Sequence, residues 1–180
     1  NAGVLSSNLR SGSIIVSSFE ITLNYWLFFI FKNKGENMEK VILITGGSRG
    51  IGREIAINLV KKGYKVIANY NKSEEKALEL IKKDIEIYKA DVSKREDVHK
   101  MIEKILQKYG KIDVLINNAG ISENKMFTDV TDDDWKKMID TNLYSVFCVS
   151  QEVLPNMIHN KKGCIINISS IWGITGASCE

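Results

Sequence analysis

Short apolar runs alternate along this chain with segments whose apolar residues recur every three or four positions. The apolar runs predict five strands, at residues 41–44, 65–70, 85–88, 112–117 and 164–168. After the first run, Ile51, Ile55 and Leu59 share one helical face, and similar spacing follows later strands. Because strands and helices alternate, the pattern predicts an α/β fold, a doubly wound parallel sheet with helices on both faces.

Polar residues at the boundaries refine the predicted helices. Ser73, Ser93 and Thr131 each precede a helical pattern and are expected to be N-caps. Asp134 follows Thr131 at the spacing of a capping box. The helix that begins there is predicted to be long and to end before Gly163.

Residues 1–37 differ in composition from the rest of the chain. Their apolar cluster, residues 25–31, is shorter than the roughly 20 residues of a membrane span. A signal peptide carries its basic residues before the apolar run, whereas Lys32 and Lys34 follow it. We predict that residues 1–37 are upstream sequence translated by accident, that translation starts at Met38, and that one partial dinucleotide-binding domain covers residues 38–180. A membrane-associated extension is the alternative.

The charge balance and the cysteine spacing indicate which partners and which cellular compartment to expect. The chain has 25 Lys and Arg against 22 Asp and Glu, and the two signs are interleaved, so we expect no nucleic-acid partner. Cys148, Cys164 and Cys179 show neither metal-ligand spacing nor a paired disulfide framework. We therefore predict reduced thiols in a cytoplasmic protein, with no metal site and no membrane partner.

The first predicted strand leads directly into a glycine-rich turn that opens a helix. From Thr45 the sequence reads Thr-Gly-Gly-Ser-Arg-Gly-Ile-Gly. A strand, a glycine turn and a helix start bind a dinucleotide, because the helix N-terminus offers free N–H groups and positive potential to the pyrophosphate. Gly46 permits a sharp exit from the strand, while Gly50 and Gly52 permit close approach of phosphate. The predicted cofactor residues of this turn are Gly46, Ser48, Arg49, Gly50, Ile51 and Gly52.

Three further motifs, taken with this turn, resemble the short-chain dehydrogenase/reductase family. They are Asn117-Asn118-Ala119-Gly120 after the fourth strand, Asn142 in the long helix, and Ser169-Ser170 after the fifth strand. The resemblance implies a Rossmann-type sheet of order 3-2-1-4-5, counted from the strand at 41–44, with later strands missing.

The same resemblance implies roles for these residues. Asn118, Ala119 and Gly120 would line the cofactor cleft and support the sheet. Asn142 would help to hold a water of the proton relay. The Ser170 hydroxyl would bind the substrate carbonyl and stabilise the developing oxyanion, with Ser169 as the alternative.

The end of the second strand favours NADP(H) over NAD(H) as the cofactor. Enzymes that use NAD commonly place an acid there, but this chain has Asn69-Tyr70-Asn71. The guanidinium of Arg49 can pair with a 2′-phosphate, although a solvated surface arginine is the alternative. Asn71 is therefore a predicted cofactor residue, and the resemblance adds Asp91, with its neighbour Val92, as the contact of the adenine amino group.

The family's chemistry also requires a Tyr-x-x-x-Lys pair, which this sequence lacks. None of the six tyrosines has a lysine four positions later. In the family the tyrosine donates a proton and the lysine lowers its pKa. We therefore expect an inactive fragment, truncated at its C-terminus, whose fifth strand forms an open apolar edge. A natural nucleotide-binding remnant without catalysis is the alternative.

Among subfamilies, the turn and the Asn-Asn-Ala-Gly-Ile stretch resemble bacterial 3-oxoacyl-carrier-protein reductases. That implies an oxidoreductase of fatty acid biosynthesis, usually a homotetramer, whose carbonyl substrate is carried on acyl carrier protein. Residues 170–180, including Trp172, look like a related branch that reduces the 5-aminopentanone modification on elongation factor P. The two branches leave the substrate and its carrier open.

Overall fold

The computed structural model describes residues 9–15, 40–170 and 179. Its strands form a single six-stranded sheet in which every neighbouring pair is parallel. The strands are β1 Leu9–Ile15, β2 Val41–Ile44, β3 Lys65–Tyr70, β4 Glu86–Lys89, β5 Val114–Asn117 and β6 Gly163–Ser169.

The order across the sheet is β1-β6-β5-β2-β3-β4. Read from β4 to β6, this is the order 3-2-1-4-5 that the sequence predicts when counting begins at β2. The prediction of a doubly wound Rossmann-type sheet is confirmed. Since all strands run in one direction, the loops that follow them gather at the carboxyl edge of the sheet.

Strand β1 occupies the edge that was expected to be open. It pairs with β6 over seven residues, from Leu9 opposite Gly163 to Ile15 opposite Ser169. The prediction that β6 forms an exposed edge is therefore wrong. Backbone pairing does not establish where translation starts, so the boundary at Met38 stays a prediction.

Helices cover both faces of the sheet. They are α1 Gly50–Lys61, α2 Glu74–Ile81, α3 Arg95–Tyr109, α4 Asp132–Ile139 and α5 Ser145–His159. A π-turn, Asp140–Tyr144, joins α4 to α5, so the predicted long helix is continuous but locally widened. A short 3₁₀ turn, Phe127–Asp129, precedes α4.

Two hydrophobic cores hold these layers together. On one face, residues of α3 and α5 such as Met101 and Val149 are fully buried against Leu43 and Leu115. On the other face, residues of α1 and α2 pack against Ile42, Ile44 and Ile116. The central strands β2 and β5 are thus buried on both sides, which explains their continuous apolar runs.

The predicted N-caps have different outcomes. The Thr131 hydroxyl accepts the Asp134 N–H at 3.2 Å and the Asp134 carboxylate accepts the Thr131 N–H at 3.0 Å, so the capping box is confirmed. Ser73 occupies the N-cap position of α2 but makes no side-chain capping bond. The prediction for Ser93 is wrong, because Lys94 is the N-cap of α3 and the Ser93 hydroxyl donates to Asp91 at 2.6 Å.

Over the part of the chain that the structure describes, none of the helices combines the length and the apolar character that a membrane crossing demands.

Candidate functional site

Apart from Asn142, which lies in the π-turn between α4 and α5, the predicted site residues lie at one edge of the sheet, because they follow the carboxyl ends of strands. The glycine turn follows β2, Asn71 follows β3, and Asp91 follows β4. Asn117 and Asn167 are paired across β5 and β6. The segments that continue from them, with Gly120 and Ser170, therefore leave the same edge side by side.

Gly46 needs to be a glycine for two reasons. Its φ is +63°, in the left-handed region. A Cβ on Gly46 would also lie 2.9 Å from the Cα of Ala119. The backbone of the glycine turn thus touches the loop after β5, as the expected sharp exit from β2 requires.

Gly50 and Gly52 differ in what surrounds them. Gly50 has a φ of +52° and nothing within 4 Å of the position of a Cβ, so its outer face is open. A Cβ on Gly52 would lie 2.5 Å from Asn118 Nδ2 and 2.6 Å from the Gly46 carbonyl oxygen. Gly52 therefore allows helix α1 to pack against the turn, and its expected role in the close approach of phosphate stays a prediction.

Gly47 and Thr45 are structural members of the site that the sequence analysis did not select. A Cβ on Gly47 would lie 2.8 Å from the Ala68 Cβ, so the turn passes closely over β3. The buried Thr45 hydroxyl accepts the N–H groups of Asn118 and Ala119, both at 3.0 Å. Thr45 and Gly47 closely follow the apolar run of β2, and this position is the sequence feature that could have identified them as part of the site.

Asn118 fastens the glycine turn to the loop after β5. Its side-chain Nδ2 donates to the carbonyl oxygens of Thr45 and Gly46, both at 3.1 Å. Both amide hydrogens are thereby directed at the turn. Asn118 supports the turn directly, in agreement with the expected partly structural role of this motif.

The N-terminus of helix α1 is open. Arg49 is its N-cap residue and makes no side-chain capping bond, and the first turn contains no acidic residue. Arg49, Gly50 and Ile51 are all exposed. The first-turn N–H groups and the positive end of the helix dipole therefore face a surface without a capping side chain. Among the other predicted cofactor residues, Ser48 and Val92 are buried and offer little surface.

Charge near this helix start is positive. Arg49 makes no ion pair with any side chain in the described ranges. Asn71 is exposed directly after β3, and the Asp91 carboxylate accepts the Ser93 hydroxyl and the Ser93 N–H. Partial burial favours a raised pKa for Asp91, but these hydrogen bonds outweigh it and hold the pKa below its usual value. Asp91 is therefore a fixed, ionised acceptor at neutral pH.

Asn142 lies in the π-turn and holds the loop after β5. Its Oδ1 accepts the Ile121 N–H and its Nδ2 donates to the Ile121 carbonyl oxygen, both at 2.8 Å. Nδ2 also lies 2.9 Å from the Met138 sulfur. These side-chain contacts fix the loop that carries Gly120. The expected role of Asn142 in a proton relay stays a prediction.

Ser170 is exposed and directly follows β6. Its position at the carboxyl edge is the one that the resemblance requires, and its catalytic role stays a prediction. Residues 171–178, which include Trp172, lie outside the described residues.

Comparison with known proteins agrees with this geometry. The family model described as short chain dehydrogenase matches residues 40–179. A 3-oxoacyl-(acyl-carrier-protein) reductase of Staphylococcus epidermidis is 43% identical over 145 residues, which cover 77% of this chain and 59% of the relative. The corresponding reductase of Thermotoga maritima is 39% identical over 143 residues, covering 76% of this chain and 58% of the relative.

Solved structures show the same fold with a nicotinamide cofactor. The structure of ElxO with NADP bound matches with a TM-score of 0.73 and 36% identity, covering 79% of this chain and 60% of that one. Actinorhodin polyketide ketoreductase with NADPH matches with a TM-score of 0.74 and 31% identity, covering 78% and 57%.

The chain thus spans less than two thirds of the length of these relatives. The matched region contains all the site residues described above. On the family match, the sequence identity and the shared fold, this chain belongs to the short-chain dehydrogenase family of oxidoreductases.

Proposed function

We propose that this chain is the nucleotide-binding part of an NADPH-dependent carbonyl reductase. The observation that carries the proposal is the open N-terminus of helix α1, where the uncapped first turn and the open face of Gly50 meet. Such a terminus suits a pyrophosphate, because several backbone N–H groups and the helix dipole act on the same anion. Asp91, held ionised at the end of β4, is the proposed acceptor for the adenine amino group.

The preference for NADPH rests on Arg49. Its guanidinium is exposed at the helix start and forms no ion pair among the described side chains. The end of β3 offers Asn71 where a carboxylate would repel a 2′-phosphate. The NADPH and NADP titles of two structural neighbours support the same choice.

NADPH, when bound, supplies the hydride. We assign to Ser170 the hydrogen bond that orients the substrate carbonyl, and to Asn142 the placement of a relay water through its position beside Gly120. Because the 180 residues contain no Tyr-x-x-x-Lys pair, we expect them to bind the cofactor without turning over a ketone. NADPH consumption above the buffer rate with a 3-oxoacyl thioester would show that this requirement is wrong.

The substrate class proposed for the whole protein is a 3-oxoacyl group on acyl carrier protein. The names of the Staphylococcus and Thermotoga relatives support it. We also propose a cytoplasmic location and a homotetramer for the complete enzyme. The alternative substrate, the 5-aminopentanone group on elongation factor P, rests on residues 170–180 alone. Reduction of one substrate and not the other by a longer protein that contains this chain distinguishes them.

Titration of the purified chain with NADPH and with NADH tests the cofactor proposal. We expect NADPH to bind about tenfold more tightly, because a charge-assisted bond from Arg49 to the 2′-phosphate contributes one to two kcal/mol, about tenfold in Kd. The variant Arg49→Gln should bind NADPH as weakly as the wild type binds NADH. Equal binding of both cofactors by the wild type would contradict the assignment of Arg49.

A further inference from the structure

Asn69 is a buried polar residue of β3 whose side chain is held by four hydrogen bonds. It is 2% exposed. Its Oδ1 accepts the Gly46 N–H at 3.3 Å. Its Nδ2 donates to the Ala90 carbonyl oxygen at 2.9 Å and lies 3.4 Å from the carbonyl oxygens of Tyr88 and Tyr70.

These partners determine which way the amide points and what can replace it. Three carbonyl oxygens surround one end of the side chain, so that end must be a donor. The other end faces an N–H and must be an acceptor. Since burial without partners is costly for each of these groups, the site is specific for a side chain with one donor end and one acceptor end.

The same partners belong to two separate parts of the proposed nucleotide site. Gly46 begins the glycine turn, and Ala90 directly precedes Asp91 at the end of β4. Backbone bonds run in parallel with the side-chain ones, from the Gly47 N–H to the Asn69 carbonyl oxygen at 2.8 Å and from the Ala90 N–H to the Tyr70 carbonyl oxygen at 2.9 Å. Asn69 is therefore the side chain that joins the glycine turn to the strand end that carries Asp91.

We propose that Asn69 is a positioning residue for the dinucleotide. It fixes the distance between the glycine turn and Asp91, so that the turn can contact the pyrophosphate while Asp91 contacts the adenine of the same dinucleotide. This inference rests on the proposed function. Asn69 acts through Gly46 and Ala90 and not by touching the ligand, because its side chain is buried and both of its polar atoms are already hydrogen-bonded to backbone groups.

The variant Asn69→Asp tests the proposal, since it keeps the size of the side chain and removes the donor. The introduced carboxylate faces three carbonyl oxygens, so we expect Kd for NADPH at pH 8 to rise about tenfold, measured well below the unfolding temperature. A protonated carboxyl group has a donor and an acceptor and restores the original pattern. The ratio of variant to wild-type Kd should therefore fall toward one as the pH is lowered to about 5.5, because burial raises the pKa of the introduced group.

Asn156→Asp is the matched control. Asn156 also bridges backbone groups, accepting the Ile112 N–H at 3.2 Å and donating to the Gly110 carbonyl oxygen at 3.1 Å. It lies at the opposite, amino edge of the sheet. We expect N156D to lower the unfolding temperature and to leave Kd for NADPH unchanged. If N156D weakens binding as much as N69D does, the effect is general destabilisation and the proposal is overturned.

The outcomes separate this inference from the proposed function. If the wild type does not bind NADPH, the proposed function fails and the positioning role fails with it. If the wild type binds and N69D binds equally well across the pH range, the positioning role alone is overturned. If N69D does not fold at pH 8, Asn69→Ser, which is small enough to admit water to the same carbonyl groups, carries the test with the same expected rise in Kd.

Discussion

The N-termini of helices α1 and α4 are built in opposite ways. Helix α4 is closed by the capping box of Thr131 and Asp134, and its first turn contains three aspartates. Lys125 adds an ion pair to Asp134 at 2.6 Å. Helix α1 has no side-chain cap, no acid in its first turn, and an exposed glycine with a positive φ.

The comparison shows where the chain gives up local stability. A capping box satisfies the first N–H groups of a helix, and acidic residues in the first turn interact favourably with its dipole. Each of these features stabilises the helix by roughly 0.5–1 kcal/mol. Helix α4 has both contributions and needs no partner at its start. Helix α1 has neither, although it packs in the centre of the fold. An anion bound at this terminus supplies the missing complement, which is why we place the pyrophosphate there.

The largest expected effect comes from closing the space between helix α1 and the glycine turn. Gly52→Ala puts a Cβ 2.5 Å from Asn118 Nδ2 and 2.6 Å from the Gly46 carbonyl oxygen. We expect a loss of about 1–3 kcal/mol in the free energy of unfolding, as for other overpacked sites, and at least tenfold weaker NADPH binding. Urea denaturation and NADPH titration measure the two effects.

Gly110→Ala is the control for this change. Gly110 has a φ of +72° and open space around the Cβ position, and it ends helix α3 away from the site. The variant should lose about 1 kcal/mol from backbone strain and bind NADPH normally. Tight NADPH binding by G52A would mean that the fit between α1 and the turn is unimportant for the cofactor.

The second prediction gives helix α1 the cap that it lacks. In Arg49→Asp the new carboxylate can accept first-turn N–H groups, because the N-cap backbone is already extended, with φ −147° and ψ 168°. We expect the variant to be more stable by about 0.5–1 kcal/mol and to bind NADPH more than tenfold more weakly. Stability and affinity should thus change in opposite directions.

Thr131→Ala is the corresponding change at helix α4. It removes the capping box, so we expect a loss of about 1 kcal/mol in the free energy of unfolding with no change in Kd for NADPH. If R49D and T131A both lower the free energy of unfolding, a capping side chain does not stabilise the start of α1. The proposed difference between the starts of α1 and α4 would then be wrong.

The smallest expected effect is a pH dependence that belongs to the closed terminus. The ion pair with Lys125, followed by the hydrogen bonds from the Thr131 hydroxyl and N–H, holds the pKa of Asp134 well below its usual value. A depressed pKa contributes stability above the unfolded pKa of about 3.9 and loses it as the pH falls toward the folded pKa. Urea denaturation from pH 5 to pH 3 should show a shallower loss of stability in Asp134→Asn than in the wild type. Identical pH profiles for the variant and the wild type would show that the Asp134 carboxylate does not contribute to this pH dependence.

The sequence predicts the strands and the glycine turn because both depend on local features. Continuous apolar runs indicate strands that are buried on both faces. A glycine-rich stretch between such a strand and a helical pattern is compatible with few backbone conformations other than this tight turn. The capping box is equally local, since Thr131 and Asp134 are three residues apart. Bounds shift by one or two residues where apolar residues such as Ile85 and Ile112 precede the paired part of a strand.

What the sequence does not predict depends on contacts between distant residues. Ser93 donates its hydroxyl to the Asp91 carboxylate, and helix α3 begins one residue later, with Lys94 as its N-cap. Gly52 is required by Asn118, which lies 66 positions further along the chain. The orientation of the Asn69 amide is set by the carbonyl oxygens of Tyr88 in β4 and of Ala90 directly after it. The pairing of β1 with β6 joins segments whose separation gives no local signal.

Amide hydrogen exchange with and without NADPH tests the central claim most directly. The claim is that the cofactor binds at the open start of helix α1, while the start of α4 is already satisfied. We predict that saturating NADPH slows exchange in peptides covering residues 46–53 and leaves residues 131–136 unchanged. Equal protection of both segments, or protection only outside residues 46–53, would contradict the account.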